Sequence, residues 1–252
     1  MRPVALVTGG AQRIGSAIVR DLAENGWAVA VHYRTSQAQA EKLVAEIGEA
    51  GGRAVALACD LRLEAELAAL VSRAVKELGP LTCLVNNASV FEMDKIDTVT
   101  HESWSKHIEI NLRAPLILSQ AFARQLPEGA TGNIVNLLDQ RVWKLTPYFL
   151  SYTVAKSGLW TLTRTMALGL APRIRVNGIG PGPALPSARQ TMEQFRQQQA
   201  AVPLKRGPSL EEIAATVRFI LASPSLTGQM IALDGGEHLG WAQSARGFVA
   251  RE

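Results

Sequence analysis

Short apolar runs alternate with longer stretches in which apolar residues recur at every third or fourth position, from one end of the chain to the other. Continuous apolar runs of four to eight residues predict buried strands at Val4–Thr8, Ala28–Tyr33, Ala54–Ala58, Cys83–Asn86, Asn133–Leu138, Arg175–Ile179 and Met230–Leu233. Helical spacing fills the intervals, for example Ile14 to Leu22, Ala40 to Ala50, Leu63 to Leu78 and Ile213 to Leu221. Gly26, Gly51-Gly52, Gly79-Pro80 and Pro172 stand where each helix should stop before the next strand. Strands apolar on both faces, alternating with helices, predict an α/β fold: a doubly wound parallel sheet of about seven strands, flanked by helices. No repeat or low-complexity linker divides the chain, so residues 1–252 read as a single domain.

One stretch breaks the rhythm. Gly180-Pro181-Gly182-Pro183-Ala184-Leu185-Pro186 is too rich in Pro and Gly for regular structure, and a polar helical segment from Gln190 to Gln199 follows. Ligands of open α/β sheets sit beyond the carboxyl ends of the strands. The excursion, at about 181–205, is therefore a candidate substrate loop or lid, with a passive surface loop as the alternative.

Composition adds bounds. A hydrophobic content of 47% with 19% charged residues suits a globular chain with a sizeable core. No apolar run approaches the ~20 residues that cross a bilayer, and the N-terminal apolar run is cut by Gly9-Gly10, so it reads as a strand and not as a signal peptide. Cys59 and Cys83 read as small apolar core residues, which points to the cytoplasm. The net charge of +4 is spread along the chain and is not grouped with exposed aromatics, so neither a nucleic-acid nor a membrane partner is expected. No His/Cys/Asp cluster has metal-ligand spacing, and no metal is expected. His101, His107 and His238 read as structural or solvated residues, the first two on a helix surface.

Chemistry concentrates at two places. The first strand runs into Thr8-Gly9-Gly10-Ala11-Gln12-Arg13-Ile14-Gly15 and then a helix. Glycines there let the backbone approach a pyrophosphate, which the helix N-terminus favours. The second strand ends in His32-Tyr33-Arg34-Thr35-Ser36, without the acid that holds a free ribose 2′-hydroxyl. Arg34, Ser36 and Arg13 instead suit a 2′-phosphate, so NADP(H) is the expected cofactor.

The second place is Tyr152-Thr153-Val154-Ala155-Lys156, at the start of a helix after the fifth strand. Positions i and i+4 share a helix face, so phenol and ammonium enter the same space. A nearby cation is expected to lower the tyrosine pKa and make the phenol a proton donor or acceptor.

These motifs, with Asp60, Asn86-Asn87-Ala88, Asn111, Pro181-Gly182 and Asp234-Gly235-Gly236, resemble the short-chain dehydrogenase/reductase family over nearly the whole chain. The resemblance implies a single Rossmann domain and a small-molecule oxidoreductase, usually a homotetramer. Tyr152 would be the acid/base and Lys156 would also bind the nicotinamide ribose. Asn111 would hold a water in a proton relay. Asp60 would contact adenine, next to Leu61, and Asn87-Ala88 would line the adenosine ribose. Gly9, Ile14, Gly15, Pro181 and Gly182 complete the expected cofactor set.

Two departures narrow the reading. Arg13 stands where the family has a third glycine, and Asp139 where it has a serine, thirteen residues before the tyrosine. A carboxyl group can pair with ring nitrogens and an amino group, which a pterin presents. The pteridine reductase branch is similar at Arg13, at His32-Tyr33-Arg34 with Ser36, at Asn87-Ala88-Ser89-Val90-Phe91 and in its Asp–Tyr–Lys set. That resemblance implies Phe91 stacking on a pterin and Ser89 touching cofactor phosphate or pterin. Trp143 and Tyr148 are further aromatics whose place, pocket wall or core, the sequence leaves open. The expected activity is NADPH-dependent reduction of a pterin or folate, with Asp139, Tyr152 and Lys156 handling the proton. Its alternatives are reduction of a ketone or 3-oxoacyl thioester, and a non-catalytic NADPH-binding sensor or scaffold. The tail beyond Gly236, with Glu237, His238, Trp241 and Arg246, is a weaker candidate for closing a neighbouring subunit's pocket.

Overall fold

The computed structural model describes residues 2–187 and 189–240; Trp241 and Arg246 lie outside them. All seven expected strands form, with ends shifted by a few residues: β1 (Val4–Val7), β2 (Ala28–Tyr33), β3 (Arg53–Ala58), β4 (Cys83–Asn86), β5 (Gly132–Leu137), β6 (Ile174–Pro181) and β7 (Met230–Leu233). They make one fully parallel sheet in the order β3-β2-β1-β4-β5-β6-β7. The order reverses between β1 and β4, which opens a crevice at their carboxyl ends, where a doubly wound sheet binds ligands.

Alternation along each strand feeds two cores. Val4 and Leu6 face α3 (Glu64–Leu78), α5 (Ala114–Gln125) and α6 (Leu150–Leu170), meeting Leu67, Leu118 and Phe122. Ala5 and Val7 face α1 (Arg13–Glu24), α2 (Gln37–Glu49) and α8 (Leu210–Ala222), meeting Ile18, Leu43 and Ile213. Both cysteines are buried in these layers, and burial pushes their thiols up, Cys59 to about 11 and Cys83 to about 12. They pack as inert apolar residues.

Between β4 and β5 the chain forms α4 (His101–Ile108), a π-helical turn at Glu109–Arg113 and then α5. His107 departs from the surface position expected for it: it is fully buried on α4. Its ring is held by the Ser103 carbonyl at 2.8 Å, the Glu92 N–H at 3.1 Å and the Ser151 hydroxyl at 2.7 Å. The reason is Asp94, a buried carboxylate that accepts the Ser151 N–H and hydroxyl and the Ser103 hydroxyl. Burial pushes its pKa up, but these bonds and His107 outweigh that and hold it below the usual range. The cluster ties the loop after β4 to the first turn of α6, the helix that carries Tyr152 and Lys156.

The 181–205 excursion contains α7 (Met192–Ala201), which starts at Thr191 with a reciprocal cap to Gln194. Among the described residues no helix is long and apolar enough to cross a membrane, and no group of three or more His, Cys, Asp or Glu could hold a metal ion.

Candidate active site

Thr8 and Asn87 lace the two loops that bound the crevice. The Thr8 hydroxyl accepts the N–H groups of Asn87 and Ala88 at 2.9 and 3.0 Å, and the Asn87 amide donates to the Thr8 and Gly9 carbonyls at 2.8 and 3.1 Å. This brings Gly9, Arg13, Ile14, Gly15, His32, Tyr33, Arg34, Ser36, Asp60, Leu61, Asn87, Ala88 and Ser89 around one open cavity of about 470 Å³ that reaches Phe91 and Tyr152. Arg13 has φ of +54°, the left-handed conformation that explains a glycine at this position elsewhere. Its guanidinium donates to the Pro186 carbonyl at 3.0 Å and so links the glycine turn to the 181–205 loop. Asp60 lies on the cavity wall with its carboxylate paired to Arg62, whose guanidinium bonds hold the Asp60 pKa down at about 2.

His32 anchors the glycine turn from below. Its Nδ1 accepts the Gly9 N–H at 3.0 Å and its Nε2 bonds the Cys59 carbonyl at 3.0 Å, which requires the neutral ring. Burial lowers its pKa to about 4, against the pull of the Cys59 bond. Between about pH 4 and 6.5 the unfolded chain takes up a proton that the native ring refuses, so stability is full above 6.5 and falls as pH drops through this window. The expected loss by pH 5 is about 2 kcal/mol, read as a lower denaturant midpoint than at pH 7.5. A His32→Asn variant should flatten that dependence; an unchanged slope would remove His32 as its source.

A second cavity of about 360 Å³ adjoins the first at Arg13 and Phe91. Pro181 and Gly182, expected at the cofactor, line this cavity together with Pro183, Leu185, Ser187, Arg189, Gln190 and Gln198 of the 181–205 excursion. That segment therefore forms part of the wall of the second cavity. Asp139, Gln140, Arg141 and Glu237 complete its lining.

Asp139, Tyr152 and Phe91 converge where the two cavities meet. The Tyr152 hydroxyl donates to Asp139 Oδ2 at 2.7 Å, and the Phe91 ring stands edge-on to the phenol at 4.7 Å between centroids. The Lys156 ammonium donates to the Leu137 carbonyl at 2.7 Å and lies 5.8 Å from the phenol ring centroid. Burial lowers the Lys156 pKa to about 8, partly countered by Asp139. The expected lowering of the tyrosine pKa is reversed. Burial raises it well above 10, and the Asp139 charge and hydrogen bond act the same way, opposed by Arg141. The phenol is thus a protonated donor.

Asn111 sits fully buried on the π turn, and its side chain is spent on neighbours. It accepts the Val90 N–H and the Ser89 hydroxyl, and donates to the Val90 carbonyl. It thereby fixes the Ala88–Phe91 loop. Trp143 and Tyr148 line neither cavity; Trp143 packs on Trp160 and His238, and Tyr148 sits under Lys95. His238 bonds Asp234 at 2.7 Å and is structural.

Phe149, Arg141 and Arg189 belong to no motif in the sequence, yet they meet at the site. Phe91 stacks on Phe149 at 4.3 Å with rings 9° from parallel, and both arginines lie over this pair within 6 Å of the ring centroids. Phe149 holds φ of +58° while buried at the N-terminus of α6, a conformation costing about 1 kcal/mol or more in a bulky residue. Only Arg141, two residues from Asp139, carried a signal by proximity in sequence.

Residues 3–197 match the model of the short chain dehydrogenase family. The chain belongs to that family. Its relatives include an uncharacterised oxidoreductase of Methylorubrum extorquens, 35% identical over 92% of this chain and 96% of that protein. A 3-oxoacyl-[acyl-carrier-protein] reductase of Synechocystis is 31% identical over 92% of this chain and 96% of the relative. Among solved structures, FolM alternative dihydrofolate reductase 1 of Brucella suis, in complex with NADP, is 50% identical, with a TM-score of 0.92 over 95% of this chain and 96% of that one. As a short-chain dehydrogenase, the protein is an oxidoreductase, and the Tyr152–Lys156 helix and Gly9–Gly15 turn occupy the two ends of one site.

Proposed function

We propose that the protein is an NADPH-dependent reductase of pterin-type substrates, with Tyr152 as proton donor. The observation that carries this reading is the Tyr152–Asp139 hydrogen bond: an acid stands where a carbonyl reductase of this family offers a serine hydroxyl. The 50% identity to a structure described as an alternative dihydrofolate reductase supports the same class.

The first cavity fits a dinucleotide. It borders the N-terminus of α1, whose free N–H groups favour a pyrophosphate, and its lining includes Arg34, Ser36 and Arg13 for a 2′-phosphate. Gly9 and Gly15 keep this wall close to the backbone, since a Cβ on either would press on Ala88 or on the Gly9 carbonyl. NADPH bound there supplies the hydride. Lys156 would hold the nicotinamide ribose, while the Asn111 amide is committed to Val90 and Ser89 and fixes the loop beside the cofactor wall.

The protein's own part is the proton. Reduction of a C=N bond delivers hydride to carbon and leaves nitrogen needing H⁺, which the Tyr152 phenol donates. Transfer removes the proton that the phenol shares with Asp139 in their hydrogen bond, and the phenolate left beside the carboxylate is offset by the buried Lys156 ammonium until solvent returns a proton. The 3-oxoacyl-reductase relatives favour a second reading, reduction of a ketone thioester, in which Tyr152 protonates an alkoxide. NADPH oxidation against a panel of dihydrobiopterin, dihydrofolate, acetoacetyl thioester and simple ketones separates the two. Turnover confined to the pterins and folate is expected; turnover confined to the carbonyls would reject the pterin reading, and nucleotide binding without any turnover would indicate a sensor.

A further inference from the structure

The second cavity holds two carboxylates that differ in what they have left to offer. Asp139 is occupied: Oδ1 accepts the Arg141 N–H at 2.8 Å and Oδ2 accepts the Tyr152 phenol. Glu237 lines the same cavity, and its Oε2 is buried with no hydrogen-bond partner, as is Oε1 of the neutral Gln140 beside it. An unsatisfied buried acceptor is costly, and a donor brought to this carboxyl from the cavity would relieve that cost.

The turn carrying Glu237 is firmly set. Asp234 accepts the N–H groups of Gly236 at 2.9 Å and His238 at 2.7 Å, and the Glu237 N–H bonds the Asp234 carbonyl at 3.1 Å. A Cβ on Gly235 would stand 2.3 Å from the Arg206 carbonyl, so the backbone here has no room to drift. The carboxyl is therefore held on the cavity wall by the fold and not by a partner of its own.

We propose that Glu237 is the substrate-recognition residue of this cavity, its carboxylate accepting the ring N–H and exocyclic amino group of an aminopyrimidine edge. The assignment rests on the pterin reading above and refines it: Asp139 is left to proton handling with Tyr152, and recognition passes to Glu237. Two adjacent N–H donors match the two oxygens of one carboxylate, as the two edges of a guanidinium do. Lys144 and Arg141 face Glu237 as cations, and Asp139 and Asp234 as anions. Burial, eased by the two cations, pushes its carboxyl up to about 7. Acceptor strength at this wall therefore changes across the neutral range, the carboxylate form lying above about pH 7.

The test uses the intact enzyme with NADPH, dihydrobiopterin, and the corresponding lumazine, in which an oxo group replaces the amino group. Glu237→Gln should raise the KM for dihydrobiopterin by about 10- to 100-fold, with kcat and the KM for NADPH within about threefold of wild type. The variant should narrow the preference for dihydrobiopterin over the lumazine. In wild type the pterin KM should climb as pH falls below about 7, and in Glu237→Gln it should be flat. An unchanged pterin KM in the variant, or loss of NADPH affinity and melting temperature in step with it, overturns the assignment of Glu237 alone. Wild-type enzyme that does not turn over dihydrobiopterin overturns the pterin reading as well.

Discussion

Replacing Tyr152 by Phe should lower the rate of NADPH-dependent reduction by about 10²- to 10⁴-fold, the usual contribution of a positioned general acid. The substitution deletes one hydroxyl in a fully buried phenol whose ring contacts, edge-on to Phe91 and 6.0 Å from the His107 ring, are retained. NADPH affinity should thus stay within a few-fold of wild type, measured by fluorescence titration alongside single-turnover rates. Loss of the Asp139 bond leaves one carboxylate oxygen short of a donor, a modest stability cost beside the kinetic effect. The pH profile of kcat/KM adds a second readout. With Tyr152 held above 10 and Lys156 lowered to about 8, the rate should fall above about pH 8 as the ammonium that supports the phenol loses its charge. Full activity in Tyr152→Phe would remove the phenol from the reaction.

Gly15→Ala should abolish useful cofactor binding, raising the NADPH Kd by about 10- to 100-fold and costing about 1–3 kcal/mol of stability. A Cβ at Gly15 would lie 2.1 Å from the Gly9 carbonyl oxygen, 2.6 Å from the Asn87 amide and 2.9 Å from Gly10 Cα. Two of these three obstacles are backbone of the phosphate turn, and the third is the amide that laces the turn to the loop after β4. None can yield without opening the crevice. Gly48→Ala is the control: it lies in α2 with nothing within 4 Å of a Cβ and an ordinary φ, so that change should be neutral or stabilising by up to about 1 kcal/mol. Calorimetric titration of NADPH into both variants checks the contrast, and wild-type affinity in Gly15→Ala would show that the turn tolerates expansion.

Much of this site is legible in the sequence. The strand–glycine turn–helix unit is local, and so is the i, i+4 relation of Tyr152 and Lys156, because both depend only on backbone geometry over a few residues. Arg13 and Asp139 were legible as departures from a family pattern, and the structure explains the first by a left-handed backbone. The tyrosine electrostatics were not legible. Helical spacing places Lys156 near the phenol, but β5 supplies the Leu137 carbonyl that captures its ammonium, and Asp139 accepts the phenol's hydrogen bond. His107 misled for a related reason: α4 is amphipathic by sequence, and only Asp94 and Ser151, brought in from two other segments, make a buried histidine satisfiable.

The sequence by itself determined the seven strands, their alternation with helices, the phosphate turn and the proton-handling pair, since periodicity and short-range spacing encode which face of each element is buried. Tertiary structure alone decided the partners: Phe149 under Phe91, Arg141 and Arg189 over them, and the orphaned carboxylate of Glu237 in the same cavity as Asp139. Those contacts join loops that follow β4, β5, β6 and β7, which become neighbours only when parallel crossovers set the sheet order. Their geometry depends on long-range pairing and desolvation, and no local pattern carries that information.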